Sequence, residues 1–328
     1  MTIVSSNFTV PPFRPPLWLR GGHSQTVAGA FWPGRLPTYQ AEARRVTLDD
    51  GDVVVVHDDR PANWQAGGTV AVLMHGLAGC HLSPYMVRIA AKLAARGVRV
   101  FRMDLRGCGA GAGLARWPYH AGRSDDVRRV VASVAEWTGE SPTVLVGFSL
   151  SGNILLKYLG AAPEIVPANV VRAVAVNPPI ELERCVRTLD RFANRWYDRH
   201  FVGLLLKQLD RRRRMLPDAP LPSQPLTNRR LFDFDDWYTA PLAGYGSAKN
   251  YYDRCSAAQF LPRIQVPTTI LASRDDPMVP VEIFQRPLPQ SVRLVVADGG
   301  GHLGYIARPN SDPDTRWMDW RVVDWTVV

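Results

Sequence analysis

Thr143-Val144-Leu145-Val146-Gly147-Phe148-Ser149-Leu150-Ser151-Gly152, continued by Asn153-Ile154-Leu155-Leu156-Lys157-Tyr158-Leu159, is the stretch on which the reading of this chain turns. Residues 143–148 are a short, almost wholly apolar run, the pattern of a strand buried on both faces. Residues 152–159 read as a helix. Between them Gly147, Ser149 and Gly152 mark a sharp strand-to-helix turn, whose small residues let strand and helix approach closely. A serine on such a turn is lifted above the sheet, near the positive end of the following helix. The usual spelling is G-x-S-x-G; here Ser151, small but bearing a Cβ, takes the last position. The competing reading is that Ser149 only caps a helix.

Working outward, the same alternation repeats. Thr69–Met74, Val98–Met103 and Val171–Val176 read as buried strands. Pro84–Arg96 reads as a helix with Met86, Ile89, Ala90 and Leu93 on one face and a stop at Gly97, and Ser124–Trp137 as another. Upstream, Asp50-Gly51 joins Arg45–Leu48 to Val53–His57 as a hairpin. After Pro178-Pro179 the rhythm breaks, and it returns with Thr268–Ala272 and Val292–Val296. Short apolar strands alternating with amphipathic helices predict a mostly parallel, doubly wound α/β sheet. Its functional site is expected outside the carboxyl ends of the strands. Residues 41–179 and 262–328 are assigned to this core and residues 180–261 to an inserted helical cap, with Phe201–Leu209 and Trp237–Tyr252 supplying its apolar faces. Residues 1–40 carry Pro11, Pro12, Pro15, Pro16, Pro33 and Pro37 and are expected to form an irregular arm, held on the core by Phe13, Leu17, Trp18, Leu19, Phe31 and Trp32.

Composition narrows the function classes. The chain has 328 residues, 46% of them hydrophobic, enough for a sizeable core. The 39 Lys and Arg against 30 Asp and Glu leave a net charge of +9, but the excess is spread along the chain, which argues against a nucleic-acid domain. The one dense run, Arg211–Arg214, is short. Cys80, Cys108, Cys185 and Cys255 form no CxxC and no close Cys/His spacing in sequence, so no metal is expected, and scattered cysteines suit a reducing compartment. Met1–Val10 lacks a basic residue followed by an apolar run, and no stretch reaches the ~18 consecutive apolar residues of a membrane span. A cytoplasmic location is expected. The sequence carries no readable signal of oligomeric state.

Three further segments complete a chemical reading. His75-Gly76-Leu77-Ala78-Gly79 ends the first buried strand, where a turn can aim a backbone N–H at a developing oxyanion; Leu77 is the expected donor there, and Leu150, next to Ser149, the second. His75 itself is read as structural. Ser273-Arg274-Asp275-Asp276-Pro277-Met278-Val279-Pro280 offers two aspartates after a late strand; the register favours Asp276 over Asp275, against the alternative of a turn-capping aspartate. His302 lies in the glycine-rich loop Asp298–Gly304 after the last strand. Ser149, Asp276 and His302 thus occur in the chain order nucleophile, acid, base. His120 and Asp125 also form an H-x-x-x-x-D string like that of acyltransferases, although Ser124 and Asp125 read more readily as the start of the helix running to Trp137.

These motifs, with Trp18-Leu19-Arg20-Gly21-Gly22-His23-Ser24-Gln25-Thr26 in the arm, Asp104-Leu105-Arg106-Gly107-Cys108-Gly109 and Tyr119-His120-Ala121-Gly122, resemble the YheT-like branch of the α/β-hydrolases, relatives of the abhydrolase-domain lipases. The resemblance covers nearly the whole chain. It implies the α/β-hydrolase fold and a carboxylic-ester hydrolase (a serine esterase) using Ser149, Asp276 and His302 on a small-molecule or lipid ester, without a cofactor. Two other readings stand beside it. One is an acyltransferase or membrane-surface phospholipase using the same residues, with peripheral membrane contact through Arg211–Arg214 and Phe201–Leu206. The other is a non-catalytic binding protein on the same fold.

Overall fold

Every apolar run read as a strand enters one sheet: β1 (Glu42–Thr47), β2 (Val53–Asp59), β3 (Val70–Met74), β4 (Arg99–Asp104), β5 (Thr143–Phe148), β6 (Val170–Val176), β7 (Thr268–Ser273) and β8 (Val292–Ala297). The computed structural model describes residues 10–38, 41–222, 224–309 and 312–327. The order across the sheet is β1-β2-β4-β3-β5-β6-β7-β8. β1 and β2 form the expected hairpin, β2 runs antiparallel to β4, and all later pairings are parallel. β3 lies between β4 and β5, so the carboxyl ends of β3 and β5 are neighbours at the point where the winding reverses. That is where an open α/β sheet forms its crevice.

Alternation along β3 divides the core in two. Val70, Val72 and Met74 join one apolar cluster, Ala71 and Leu73 the other. The first face is covered by α3 (Ser124–Thr138) and α4 (Leu150–Ala161), the second by α2 (Pro84–Ala94) and α10 (Trp317–Thr326). Helix α10 has no counterpart among the elements read from sequence, and the reason is physical. Asp319 and Arg321 break its apolar stripe yet are themselves buried, because Arg88 grips Asp319 through two bonds of 2.7 and 3.2 Å and Arg321 reaches Asp312 at 2.7 Å.

The stretch between β6 and β7 holds α5 (Leu182–Leu189), α6 (Arg195–Met215), α7 (Leu231–Phe234), α8 (Ala240–Leu242) and α9 (Ala248–Cys255), with no strand among its described residues. Its apolar side chains, among them Leu182, Leu205, Phe234 and Tyr252, join the cluster of α3 and α4, so the cap sits on that face. The arm departs from expectation. Its prolines stop at Pro16 and resume at Pro33, and the proline-free window between them forms a ten-residue helix, α1 (Gly22–Phe31). The arm does pack on the body through the buried Phe13 and Leu19, and Phe13 meets Tyr305 and Trp317 edge-on, each at 5.7 Å; Leu17, Trp18, Phe31 and Trp32, expected to help hold it, are exposed instead. Of the Met1–Val10 stretch, residues 1–9 lie outside the described residues.

Candidate active site

Ser149 sits between β5 and α4 with φ 50° and ψ −119°, a conformation non-glycine residues avoid and one typical of functional strain. The neighbours make it possible. A Cβ on Gly147 would lie 2.4 Å from the Ser151 carbonyl oxygen, and one on Gly152 would lie 2.9 Å from Cβ of Pro178. The close approaches of this elbow therefore fall at Gly147 and Gly152, which is why Ser151 is tolerated. Its hydroxyl also acts, donating to the His75 carbonyl at 2.5 Å and so tying the elbow to the turn after β3.

The histidine loop and the acid loop close over this serine. His302 Nε2 lies 2.8 Å from Ser149 Oγ, and His302 Nδ1 lies 2.7 Å from Asp276 Oδ2. The Asp276 carboxylate is fully occupied: Oδ1 accepts from the backbone of Met278 (2.8 Å) and Val279 (3.0 Å), and Oδ2 accepts from Asn177 Nδ2 (2.6 Å) as well as His302. Asp275 turns elsewhere. Its Oδ1 accepts from Ser273 Oγ (2.6 Å) and from Gly301 N (2.9 Å), so it braces the loop and leaves the imidazole to Asp276.

Sequence reading missed the buttresses. Asn177, at φ 46°, is held by Tyr305, whose hydroxyl donates to Asn177 Oδ1 at 2.8 Å. The arm motif supplies the rest. Thr26 Oγ1 donates to the Gly22 carbonyl (2.7 Å) and accepts the His302 backbone N–H (2.8 Å). Gln25 brackets Ile306, accepting from its N–H at 2.8 Å and donating to its carbonyl at 3.0 Å. A Cβ on Gly301 would lie 2.2 Å from the Gly22 oxygen, and one on Gly29 2.7 Å from Gly304 Cα. Helix α1 thus lies in backbone contact with the loop that carries His302. In sequence the Trp18–Thr26 string stood out only as part of the family resemblance.

The turn after β3 packs directly on the elbow: a Cβ on Gly76 would be 3.2 Å from Ser149 Cβ. It is fixed by Tyr85, whose hydroxyl accepts from Gly76 N at 2.9 Å, and by Tyr119, whose hydroxyl accepts from Ala78 N at 3.0 Å. His75 is structural, as expected. It is fully buried, burial lowers its pKa, and it bridges the Gly76 carbonyl (2.7 Å) and Leu105 N (3.1 Å). Leu77 and Leu150 line one cavity with Ser149 and His302. Leu150 opens α4, where a backbone N–H has no partner within the helix.

That cavity, about 150 Å³, runs under the cap between Leu182, Val186, Leu205, Phe234 and Met278. His120 and Asp235 line it, whereas Asp125 is exposed in the first turn of α3. The H-x-x-x-x-D string is therefore not brought together; His120 Nδ1 instead accepts from Gly122 N at 3.1 Å. Burial pushes the Asp235 carboxyl up to about 6, only partly offset by hydrogen bonds from Thr239 and Tyr252. In the folded state this group holds a proton that the unfolded chain releases at lower pH. Its contribution to stability is full below pH ~4 and is lost as pH rises towards 6. Asp235→Asn, which can still accept from Tyr252, is expected to stabilise the protein by about 2 kcal/mol at pH 7.5 and by little at pH 4, read from urea midpoints at both pH values.

The fold also gathers one group that sequence spacing did not reveal: His57, His81 and Asp104, whose donor atoms lie within 4.8 Å of one another. The two imidazoles are stacked, centroids 3.5 Å apart and 16° from parallel, and both bond Asp104 Oδ2, at 3.1 and 2.8 Å. A metal ion must lie near the plane of each ring it binds, and stacked rings cannot both aim at one ion. The group fits a hydrogen-bonded latch. Burial would raise the Asp104 carboxyl, but bonds from His57 and His81 outweigh it and hold the group well below the usual carboxylate range.

A doubly wound sheet with a serine elbow after β5, an acid loop after β7 and a histidine loop after β8 defines an esterase-like α/β hydrolase. The family model described as alpha/beta hydrolase fold matches residues 70–309. YheT of Escherichia coli (strain K12), whose name carries the term esterase, is 33% identical over 86% of this chain and 83% of its own length. The medium-chain fatty acid ethyl ester synthase/esterase 2 of Saccharomyces cerevisiae is 26% identical over 75% of this chain and 60% of that protein. The Pyrococcus furiosus esterase Pf2001 shares the fold with a TM-score of 0.57 at 14% identity, covering 89% of this chain and 94% of the other. The chain belongs to the alpha/beta hydrolase fold family, in its YheT-like branch.

Proposed function

We propose that this protein is a serine esterase that cleaves carboxylic esters through an acyl-serine intermediate. The observation that carries the reading is the unbroken chain Ser149 Oγ, His302 Nε2, His302 Nδ1, Asp276 Oδ2, with steps of 2.8 and 2.7 Å. His302 takes the Ser149 proton as Oγ attacks the ester carbonyl carbon. The oxyanion rests on the backbone N–H groups of Leu77 and Leu150, an arrangement typically worth about 3 kcal/mol per donor. His302 passes its proton to the departing alkoxide, and Asp276 holds the imidazole in the required tautomer. Water, deprotonated by the same histidine, then releases the acid and restores Ser149. The apolar cavity suits an acyl chain, and the four free cysteines suit a reducing, cytoplasmic setting.

An alcohol can replace water in the second half-reaction, which is the acyl-transfer reading; the name of the yeast relative joins synthase to esterase. Product analysis with ethanol present separates the two. The test of the main reading is fluorophosphonate labelling together with turnover of 4-nitrophenyl esters of graded acyl length. A folded protein that neither labels nor turns over any ester would leave the binding-protein reading in its place.

The arm supplies a further prediction. Thr26→Val removes the acceptor of the buried His302 N–H, a loss of about 1–3 kcal/mol. The expected result is a fall of about tenfold in kcat with little change in KM, and near-complete rescue by Thr26→Ser.

A further inference from the structure

Large exposed apolar side chains are concentrated on one part of this molecule. The arm presents Trp18, Phe31 and Trp32 at 68, 68 and 53% exposure, and the start of the cap presents Phe192 and Trp196 at 89 and 42%. They are not scattered. Trp18 and Trp32 lie 5.9 Å apart between ring centroids, and Phe31 of α1 and Trp196 of α6 line the same shallow groove. Single exposed apolar residues need no explanation, but a contiguous patch marks a contact surface.

Charge says what kind. Residues 10–38 contain no Asp or Glu, and Arg14, Arg20 and Arg35 are all exposed. On the cap side Arg191 and Arg195 are exposed, the stretch 191–197 has no acid, and the preceding Asp190 is engaged by Arg230 at 3.5 Å. Indole and phenyl rings among arginines, on two stretches that carry no carboxylate of their own, match the headgroup region of an anionic bilayer. There Trp sits at the interface and Arg is drawn to anionic lipid.

We infer that the face formed by α1, the residues flanking it and the start of α6 docks this protein on a bilayer surface containing anionic lipid. The surface expected from sequence, Arg211–Arg214 with Phe201–Leu206, lies farther along α6: there Leu205 is buried, Phe201 lines the cavity and Arg212 bonds the Tyr238 hydroxyl, while Arg211, Arg213 and Arg214 are exposed. The proposed face borders the candidate site: His23 of α1 bonds Tyr197, next to Trp196, at 3.1 Å, and the other side of α1 holds the His302 loop. Docking itself requires no catalysis and stands apart from the esterase reading.

The test is co-sedimentation of the full chain with phosphatidylcholine vesicles, with and without phosphatidylglycerol, at low and high salt. The expected result is binding to the anionic vesicles alone, weakened by salt and weakened about tenfold or more by Trp18→Ser combined with Trp32→Ser. Phe31→Ser with Trp196→Ser is a second, separate pair should the first fail to fold, and an unchanged circular-dichroism spectrum and thermal midpoint report an intact fold. Three results overturn the inference: no binding to anionic vesicles at low salt, equal binding by the folded variants, or equal binding to pure phosphatidylcholine. A dimer in sedimentation velocity that both variants abolish, without vesicle binding by the wild type, would show instead that the face pairs two copies.

Discussion

Ser149→Ala is expected to lower kcat/KM for 4-nitrophenyl acyl esters by about 10⁴-fold or more and to abolish fluorophosphonate labelling. The substitution removes the oxygen that His302 Nε2 reaches at 2.8 Å and leaves the Leu77 and Leu150 amides where they are. What survives should be the modest acceleration that binding and oxyanion donors give alone, roughly 10³-fold over water. Folding should not suffer, because the elbow is set by Gly147 and Gly152 and by the Ser151 hydroxyl, not by Ser149 Oγ. The unfolding midpoint of the variant is expected to match or slightly exceed that of the wild type, since functional groups held in strained positions seldom add stability. A folded variant that kept more than a tenth of the activity would place the nucleophile elsewhere.

The parts of this molecule that sequence revealed share a local cause. β5 runs over Thr143–Phe148 as its apolar pattern predicts, and the other core strands lie within a residue or two of theirs, because a strand buried on both faces leaves little room for polar residues. Ser149 and His302 could be picked out because each lies at the end of a strand in a glycine-marked turn. Register favoured Asp276 over its neighbour Asp275, and in the fold Asp276 faces the imidazole while Asp275 braces Gly301.

What stayed hidden depends on partners far away in sequence. Helix α10 is masked by Asp319, whose burial makes sense only beside Arg88. The stacked pair His57 and His81 meets only because β2 and the turn after β3 both reach Asp104 at the end of β4. The arm is the largest case. Counting its prolines suggests irregular chain, whereas its central window is a helix in backbone contact with the histidine loop, through Gly22 against Gly301 and Gly29 against Gly304. One short segment thus braces the candidate base on one side and exposes aromatic rings on the other. That double duty explains a motif both glycine-rich and tryptophan-bearing.

Asp276→Asn should be almost as damaging as loss of the nucleophile, with an expected fall of about 10³–10⁴-fold in kcat. The reason lies in which atoms surround the carboxylate. Oδ1 receives two backbone N–H groups, from Met278 and Val279, so an asparagine there must turn its carbonyl oxygen to that side. Its amide NH₂ is then forced to the Oδ2 position, facing His302 Nδ1 and Asn177 Nδ2, which are both donors in the native arrangement. His302 can meet an NH₂ only by presenting a bare Nδ1, which moves its proton to Nε2. In that tautomer the ring cannot take the Ser149 proton. Asn177 is left opposing a second NH₂, and a buried donor without an acceptor costs about 1–3 kcal/mol, so the melting temperature should fall as well. Asp275→Asn is the control. It also loses a carboxylate, but one that braces Gly301 without touching the imidazole, so it should lower stability modestly and leave most of kcat. Equal losses of kcat in the two variants would mean that Asp276 acts only by holding its loop together, and that the tautomer argument is wrong.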